Sequence, residues 1–261
     1  MIAGEADGTG IEKASFLASL GYDYVELPVA EIMELDQLSF DRVVKTLKAS
    51  GIPCDCCNNF FPRHFRLTGP DTDTGIIMDY VSQAMERAGK LGAKVIAFGS
   101  GPAKMVPPGF SLPVALDQLT VLLRKTAAIA ESYGITIAIE PLRREECNII
   151  NTFSEGCELS DAVGEANIKV LADYFHHAAN KDDVSHITTL GGKRLVHVHF
   201  ARPEGRRFPV EIAEDGGYMA FIGALQSVGY ADRVSLEAYA GSPGEEAADV
   251  AAGLAFMREH F

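Results

Sequence analysis

Four side chains able to bind a metal, Glu140, Asp173, His199 and Glu237, each end a short apolar run in the second half of the chain. The carboxyl ends of parallel strands in a closed barrel face one mouth, so in that setting three carboxylates and one imidazole converge. A carboxylate ending a run such as Ile135–Glu140 is largely desolvated, and converging carboxylates repel unless a cation neutralises them. Three oxygens and one nitrogen suit a harder divalent ion, Mn²⁺ first, with Mg²⁺, Co²⁺ or Zn²⁺ as alternatives, better than a thiolate zinc site. Any one of the four could equally be capped by arginines or backbone amides. Together they favour a metal centre, and hence an enzyme.

Further polar groups cluster around these positions. His197 shares a strand face with His199 but sits one layer lower, which makes it a core or supporting histidine. His176 and His177 follow Asp173, and Glu146 follows Glu140, so both loops carry partners for substrate hydroxyls. Arg206 or Arg207 could supply a cation for a hydroxyl or a phosphate. Glu26, Asn58, Asn59, Gly99 and Ser100 are the other strand-end residues expected at the mouth. His64, Cys147, Cys157, His186 and His260 read as ordinary loop or surface residues.

The elements that must position these groups recur eight times as a short apolar run, a loop and an amphipathic stretch. The expected strands are Ile2–Ala3, Tyr24–Leu27, Pro53–Asn58, Lys94–Phe98, Thr136–Glu140, Lys169–Asp173, Leu195–Phe200 and Arg233–Glu237. Helices are expected at Ile11–Leu20, Asp36–Ser50, Thr74–Leu91, Leu112–Tyr133, Ser154–Val163, Asp183–Leu190, Tyr218–Val228 and Glu245–Glu259. Gly21, Gly51, Gly92, Gly134 and Gly229 each fall where a helix must stop, a place for left-handed backbone. Eight such units favour an α/β fold closed as a single (β/α)₈ TIM barrel, one domain over 1–261. An open sheet with a nucleotide site is the weaker alternative, because no G-x-G-x-x-G opens a helix after the first strand. Gly99-Ser100-Gly101 is only a short turn.

Bulk properties narrow the function classes. The formal charge of −13 argues against a nucleic-acid partner. No apolar run approaches the ~20 residues that cross a bilayer, so no membrane association is expected. The opening MIAGEADG lacks a basic segment before an apolar stretch, and a cytoplasmic address is expected. Five cysteines is an odd number, and Cys54, Cys56 and Cys57 crowd one apolar run. Alternation along a strand puts Cys54 and Cys56 on one side and Cys57 on the other, which suits small core residues rather than a zinc site.

Several segments resemble the xylose isomerase-like superfamily of metal-dependent barrels, which also includes sugar phosphate isomerases and epimerases, and in motif most resemble its ketose 3-epimerases. Glu140-Pro141-Leu142-Arg143-Arg144-Glu145-Glu146 with Asn151-Thr152 resembles that group's E-P-L-N-R-x-E and downstream Asn-Thr. Asp173-Tyr174-Phe175-His176 resembles D-x-F-H, His197-Val198-His199 resembles H-x-H, and Ser235-Leu236-Glu237 resembles the final strand. Gly21-Tyr22-Asp23-Tyr24-Val25-Glu26 extends the likeness to the start of the chain. The resemblance implies Glu140, Asp173, His199 and Glu237 as metal ligands, Glu140 and Glu237 as the catalytic acid/base pair, and Glu146, His176 and Arg206 as substrate-binding residues. It implies a small sugar or sugar phosphate as substrate, proton transfer through an enediolate, and a homo-oligomer.

The chain departs from the epimerases at Arg143, at Glu145 and over Phe200–Arg206. A sugar or inositol-ketone dehydratase of the same superfamily is therefore the alternative reading. An apurinic-site endonuclease or a non-catalytic sugar-binding barrel is more remote, the former because it needs more histidines and a basic face.

Overall fold

The computed structural model describes residues 8–241 and 246–261. Among these, seven parallel strands form one sheet in chain order: β1 (Val25–Pro28), β2 (Cys54–Asn58), β3 (Val95–Phe98), β4 (Thr136–Ile139), β5 (Ile168–Asp173), β6 (Leu195–Phe200) and β7 (Val234–Leu236). The strand expected at Ile2–Ala3 lies outside the described residues. The sheet curls into a nearly closed barrel, and although β1 and β7 are not paired among the described residues, side chains from its two ends reach each other. The hydroxyl of Tyr24, just before β1, lies 2.8 Å from Ser235 Oγ on β7. Arg233, just before β7, donates from Nε to Asp55 Oδ2 on β2 at 2.9 Å.

Among the described residues ten α-helices flank the barrel: α1 (Ala14–Leu20), α2 (Val29–Glu34), α3 (Gln37–Ser50), α4 (Thr74–Leu91), α5 (Gly101–Lys104), α6 (Leu112–Ser132), α7 (Phe153–Val163), α8 (Tyr174–Asn180), α9 (Tyr218–Ser227) and α10 (Glu246–His260). Helix α3 shows how the sequence builds one. Asp36 accepts from Ser39 N at 2.7 Å and satisfies a donor that the first turn leaves open. Phe40, Val43 and Leu47 then face the sheet at helical spacing and are buried. Each such side chain contributes about 1.5–3 kcal/mol on burial. All five glycines expected to stop helices take positive φ, from 66° at Gly134 to 97° at Gly92.

The main apolar core lies between sheet and helices, whereas a small inner core of Tyr24, Cys56, Val95, Ala97, Ala138 and Leu171 fills the barrel below the mouth. Alternation along the strands accounts for both. Residues 136, 138 and 140 of one strand and 171 and 173 of the next point inward, and the last inward residue of each reaches the open end.

The structure corrects the sequence reading in three places. The helix expected at Asp183–Leu190 is present as a π-helix at Ile187–Gly191, and it is preceded by an unexpected helix, α8, which begins immediately after Asp173. Asp173 causes this, because its Oδ1 accepts from His176 N at 3.1 Å and starts a helix where a loop was expected. The cysteine facing is also different. The pairing of β1 with β2 skips from Val25↔Cys54 to Glu26↔Cys56, and this bulge turns Cys56 into the barrel. Cys54 and Cys57 then share the outer side, their Sγ atoms 3.9 Å apart. Finally, Cys147 and Cys157 are buried rather than at the surface.

Candidate metal centre at the barrel mouth

Glu140 and Glu237 each sit one residue beyond a strand yet stay in its ladder. Glu140 N donates to Phe98 O at 3.2 Å and Glu237 N to Phe200 O at 3.1 Å. Asp173 ends β5 directly opposite His199 on β6. These pairings bring one donor atom from each of Glu140, Asp173, His199 and Glu237 within 4.8 Å of one another. His199 Nδ1 is the hub, 3.0 Å from Glu140 Oε1, 2.8 Å from Glu237 Oε2 and 3.9 Å from Asp173 Oδ2. The first three residues are buried, while the Glu237 side chain keeps 25% of its surface and faces the opening.

The surroundings make room for this cluster. At Gly99 a side chain would overlap Glu140 Oε2, so the backbone after β3 must be glycine for that carboxylate to stand where it does. Lys104 on α5 is fully buried and donates from Nζ to the Glu140 carbonyl at 2.9 Å. Burial holds its ammonium below the ordinary lysine range, against the pull of Cys147 and Glu140.

Two cationic groups offset part, not all, of the charge of the three carboxylates at the mouth. Burial pushes the His199 imidazole down, but Glu26, Glu140 and Glu237 outweigh it and hold the ring well above the ordinary histidine value. Burial likewise opposes ionisation of Glu237, yet Arg206 and His199 draw its carboxyl down to about 2. Arg206 Nη2 lies 2.7 Å from Glu237 Oε2 and 3.3 Å from Asp173 Oδ2, and its Nε donates to Glu237 O at 3.1 Å. Nevertheless Glu237 Oε2 is enclosed without a well-directed hydrogen bond. An oxygen held close to two cationic groups but aligned with neither fits a third positive partner. The oxygen-rich donor set agrees with a divalent ion.

The expected substrate-facing residues divide clearly. Arg206 enters the cluster, whereas Arg207 turns away and donates from Nη1 to Ala240 O at 2.6 Å. His176 is buried, with Nε2 3.8 Å from Asp173 Oδ2 and Nδ1 accepting from Arg143 N at 3.3 Å. Glu146 accepts from Arg143 Nε at 2.6 Å and remains about one-third exposed. The guanidinium groups of Arg143 and Arg206 lie 4.8 and 4.7 Å from the centre of the Phe175 ring, so both line the rim. His177 is not at the mouth: with His186 it flanks Asp182, at 3.6 and 2.9 Å.

Asn59 and Ser100 serve the scaffold, Asn59 donating to Glu31 Oε1 at 2.8 Å and Ser100 accepting from Phe61 N at 2.9 Å. Sequence reasoning missed Lys104 altogether, and no local signal marks a lysine in a short turn. It also left Glu26 without a role, although its place at a strand end was visible.

Residues 14–260 match the model of the xylose isomerase-like TIM barrel family. The chain belongs to that family. As a xylose isomerase-like barrel it is 27% identical over 252 residues to a D-psicose 3-epimerase of Agrobacterium fabrum, covering 93% of this chain and 83% of the relative. It is 30% identical over 128 residues to an inosose isomerase of Bacillus velezensis. That match spans 45% of each chain, so it covers less than half of the isomerase. The solved structure of a D-psicose 3-epimerase with D-tagatose from Clostridium cellulolyticum shares the fold at a TM-score of 0.81 and 20% identity, covering 99% of this chain and 95% of that one.

Proposed function

We propose that this xylose isomerase-like barrel is a divalent-metal-dependent sugar epimerase or isomerase, with a ketose 3-epimerase as the favoured form. Glu140, Asp173, His199 and Glu237 are the ligands and Mn²⁺ the preferred ion, given three oxygens and one nitrogen. The observation that carries the reading is the meeting of Glu140 and Glu237 at one histidine nitrogen, 3.0 and 2.8 Å away, from β4 and the end of β7. When bound, a divalent ion here supplies Lewis acidity toward the carbonyl and neighbouring hydroxyl oxygen of a ketose. Glu140 and Glu237 then act as a general base and a general acid on opposite faces of the substrate. One takes the proton from the carbon beside the carbonyl, an enediolate forms, and the other returns a proton from the opposite side, inverting the centre.

Arg206, His176 and Glu146 line the approach and bind sugar hydroxyls in this reading. Arg206 also lowers the cost of placing two carboxylates beside the developing negative charge. A proton returned instead to the former carbonyl carbon moves the carbonyl to its neighbour and gives ketose–ketose isomerisation, and the partial match to an inosose isomerase keeps that outcome within the reading. Among the described residues no helix is long and apolar enough to cross a membrane, and all five cysteines are free and buried, which supports a reducing cytoplasmic setting.

The test is incubation of the Mn²⁺-loaded protein with ketoses and inositol ketones in heavy water, followed by product analysis. Deuterium at C3 of a ketose with formation of its epimer is the expected result. Loss of water from the substrate instead would establish a lyase, and no exchange with any sugar despite bound metal would leave only sugar binding.

A further inference from the structure

We propose that Glu26 is the positioning residue of the metal centre: from inside the barrel it holds His199 in the tautomer and orientation that present Nδ1 to the ion. The inference rests on the metal reading above and gives a role to a residue that reading does not use. Glu26 is fully buried on β1, below the mouth. Its Oε1 lies 3.0 Å from His199 Nε2, while its Oε2 lies 3.0 Å from His197 Nε2 and accepts from Ser235 Oγ at 2.6 Å. Ser235 Oγ is in turn 2.8 Å from the Tyr24 hydroxyl.

Counting donors assigns every proton in this chain of contacts. An ionised carboxylate only accepts, so each group facing Glu26 must donate. His199 donates through Nε2–H, His197 through Nε2–H, and Ser235 through its hydroxyl, which leaves a Ser235 lone pair for the Tyr24 O–H. No group is left over, and the arrangement accommodates a carboxylate sealed from water that is otherwise costly to bury. With a proton fixed on His199 Nε2, the nitrogen that can offer a lone pair is Nδ1, the one that faces Glu140 and Glu237. A carboxylate behind a ligating imidazole both orients the ring and raises its basicity.

Glu26 could instead be a ligand itself, because its oxygen, Cys56 Sγ and a His197 nitrogen lie close enough to share an ion. The histidine geometry argues otherwise. His197 Nε2 is engaged by Glu26, while Nδ1 points toward Cys56 Sγ, 3.9 Å away. An ion at Nε2 would have to displace the hydrogen bond to Glu26, and an ion at Nδ1 beside Cys56 would lie on the other side of the ring from Glu26.

The experiment titrates the metal-free full-length protein with Mn²⁺ against a competing chelator and records the visible spectrum of the Co²⁺-loaded form. Glu26→Gln, which keeps the size of the side chain and removes its charge, is expected to weaken Mn²⁺ binding about 10- to 100-fold and to shift the Co²⁺ bands. Because the variant also removes a buried acceptor, its metal-free melting should fall, and the discriminating readout is the Co²⁺ spectrum together with Mn²⁺ affinity measured well below the melting temperature, which a general loss of stability does not move. Wild-type Mn²⁺ affinity and an unchanged Co²⁺ spectrum in folded Glu26→Gln overturn the inference while leaving the proposed function standing. Where Glu26→Gln does not fold, Ser235→Ala decides. Loss of one hydrogen bond to Glu26 should weaken Mn²⁺ binding about 3- to 10-fold, and unchanged affinity again overturns the proposal. A second bound ion that disappears in Cys56→Ser would make Glu26 a ligand and contradict the positioning role. Failure of the wild-type protein to bind any divalent ion removes the metal reading, and this inference with it.

Discussion

Arg206 Nη2 stands 2.7 Å from Glu237 Oε2, so a guanidinium from the loop after β6 shares a carboxylate with the imidazole of His199. The backbone is shaped for this contact: Gly205 and Arg206 both take positive φ, at 69° and 50°. The arginine therefore belongs to the mouth, beside the carboxylates of Glu237 and Asp173.

Arg206→Ala is expected to raise KM about 10- to 100-fold, the loss of hydrogen bonds from a charged donor. Metal affinity should not fall, because a cation competing for Glu237 and Asp173 has been removed. Steady-state kinetics together with a Mn²⁺ titration check both halves, and a parallel loss of metal affinity would show that Arg206 organises the ligands instead.

Glu140→Gln and Glu237→Gln should each reduce solvent deuterium exchange about 10²- to 10⁴-fold with saturating metal, the range expected when a general acid or base is lost. The fold should survive, since both side chains stand at the open end and neither contributes to the apolar core. Mass spectrometry of the substrate carbon and circular dichroism make the comparison. Wild-type exchange in either variant removes that glutamate from proton transfer.

Gly99→Ala places a methyl group against Glu140 Oε2. The carboxylate is the softer partner and should swing away, so the expected damage is to the site rather than the fold. Metal affinity should drop by at least about 10-fold, on the order of what displacement of a ligand's support produces. An unaltered affinity would show that Glu140 is free to stand elsewhere and still bind.

The pH dependence follows from two groups at the hub. His199 has a raised value in the metal-free protein, so its favourable contribution is fully present below the unfolded histidine value and is lost as pH rises through the folded one. Glu237, drawn down to about 2, contributes stability above the unfolded carboxylate value, and that contribution is lost as pH falls toward 2. Melting temperatures of the metal-free protein should therefore decline on both sides. Binding of Mn²⁺ near neutral pH should release about one proton, because a coordinating imidazole must give one up. Calorimetry in buffers of different ionisation enthalpy measures that proton, and no release would mean that His199 is already neutral.

The four cluster residues were legible because each is an ionisable group closing an apolar run, and strand alternation then forces it to the open end of the barrel. The helix boundaries were legible wherever a cap or a glycine marks them, as at Asp36 and Gly51. What escaped was mostly non-local. Glu26 acts on His199 and His197 across 173 and 171 residues of sequence, a relation that exists only once the barrel closes. The facing of Cys54 and Cys56 escaped because a bulge breaks strict alternation, and α8 escaped because Asp173 both ends a strand and caps a helix.

Metal content tests the central claim most directly. The purified protein, stripped of metal and reloaded with Mn²⁺, should hold one tightly bound ion per chain by elemental analysis. Asp173→Asn and His199→Asn should each lose it while remaining folded. A chain that retains its ion in both variants, or binds none in the native sequence, would contradict a centre built from Glu140, Asp173, His199 and Glu237.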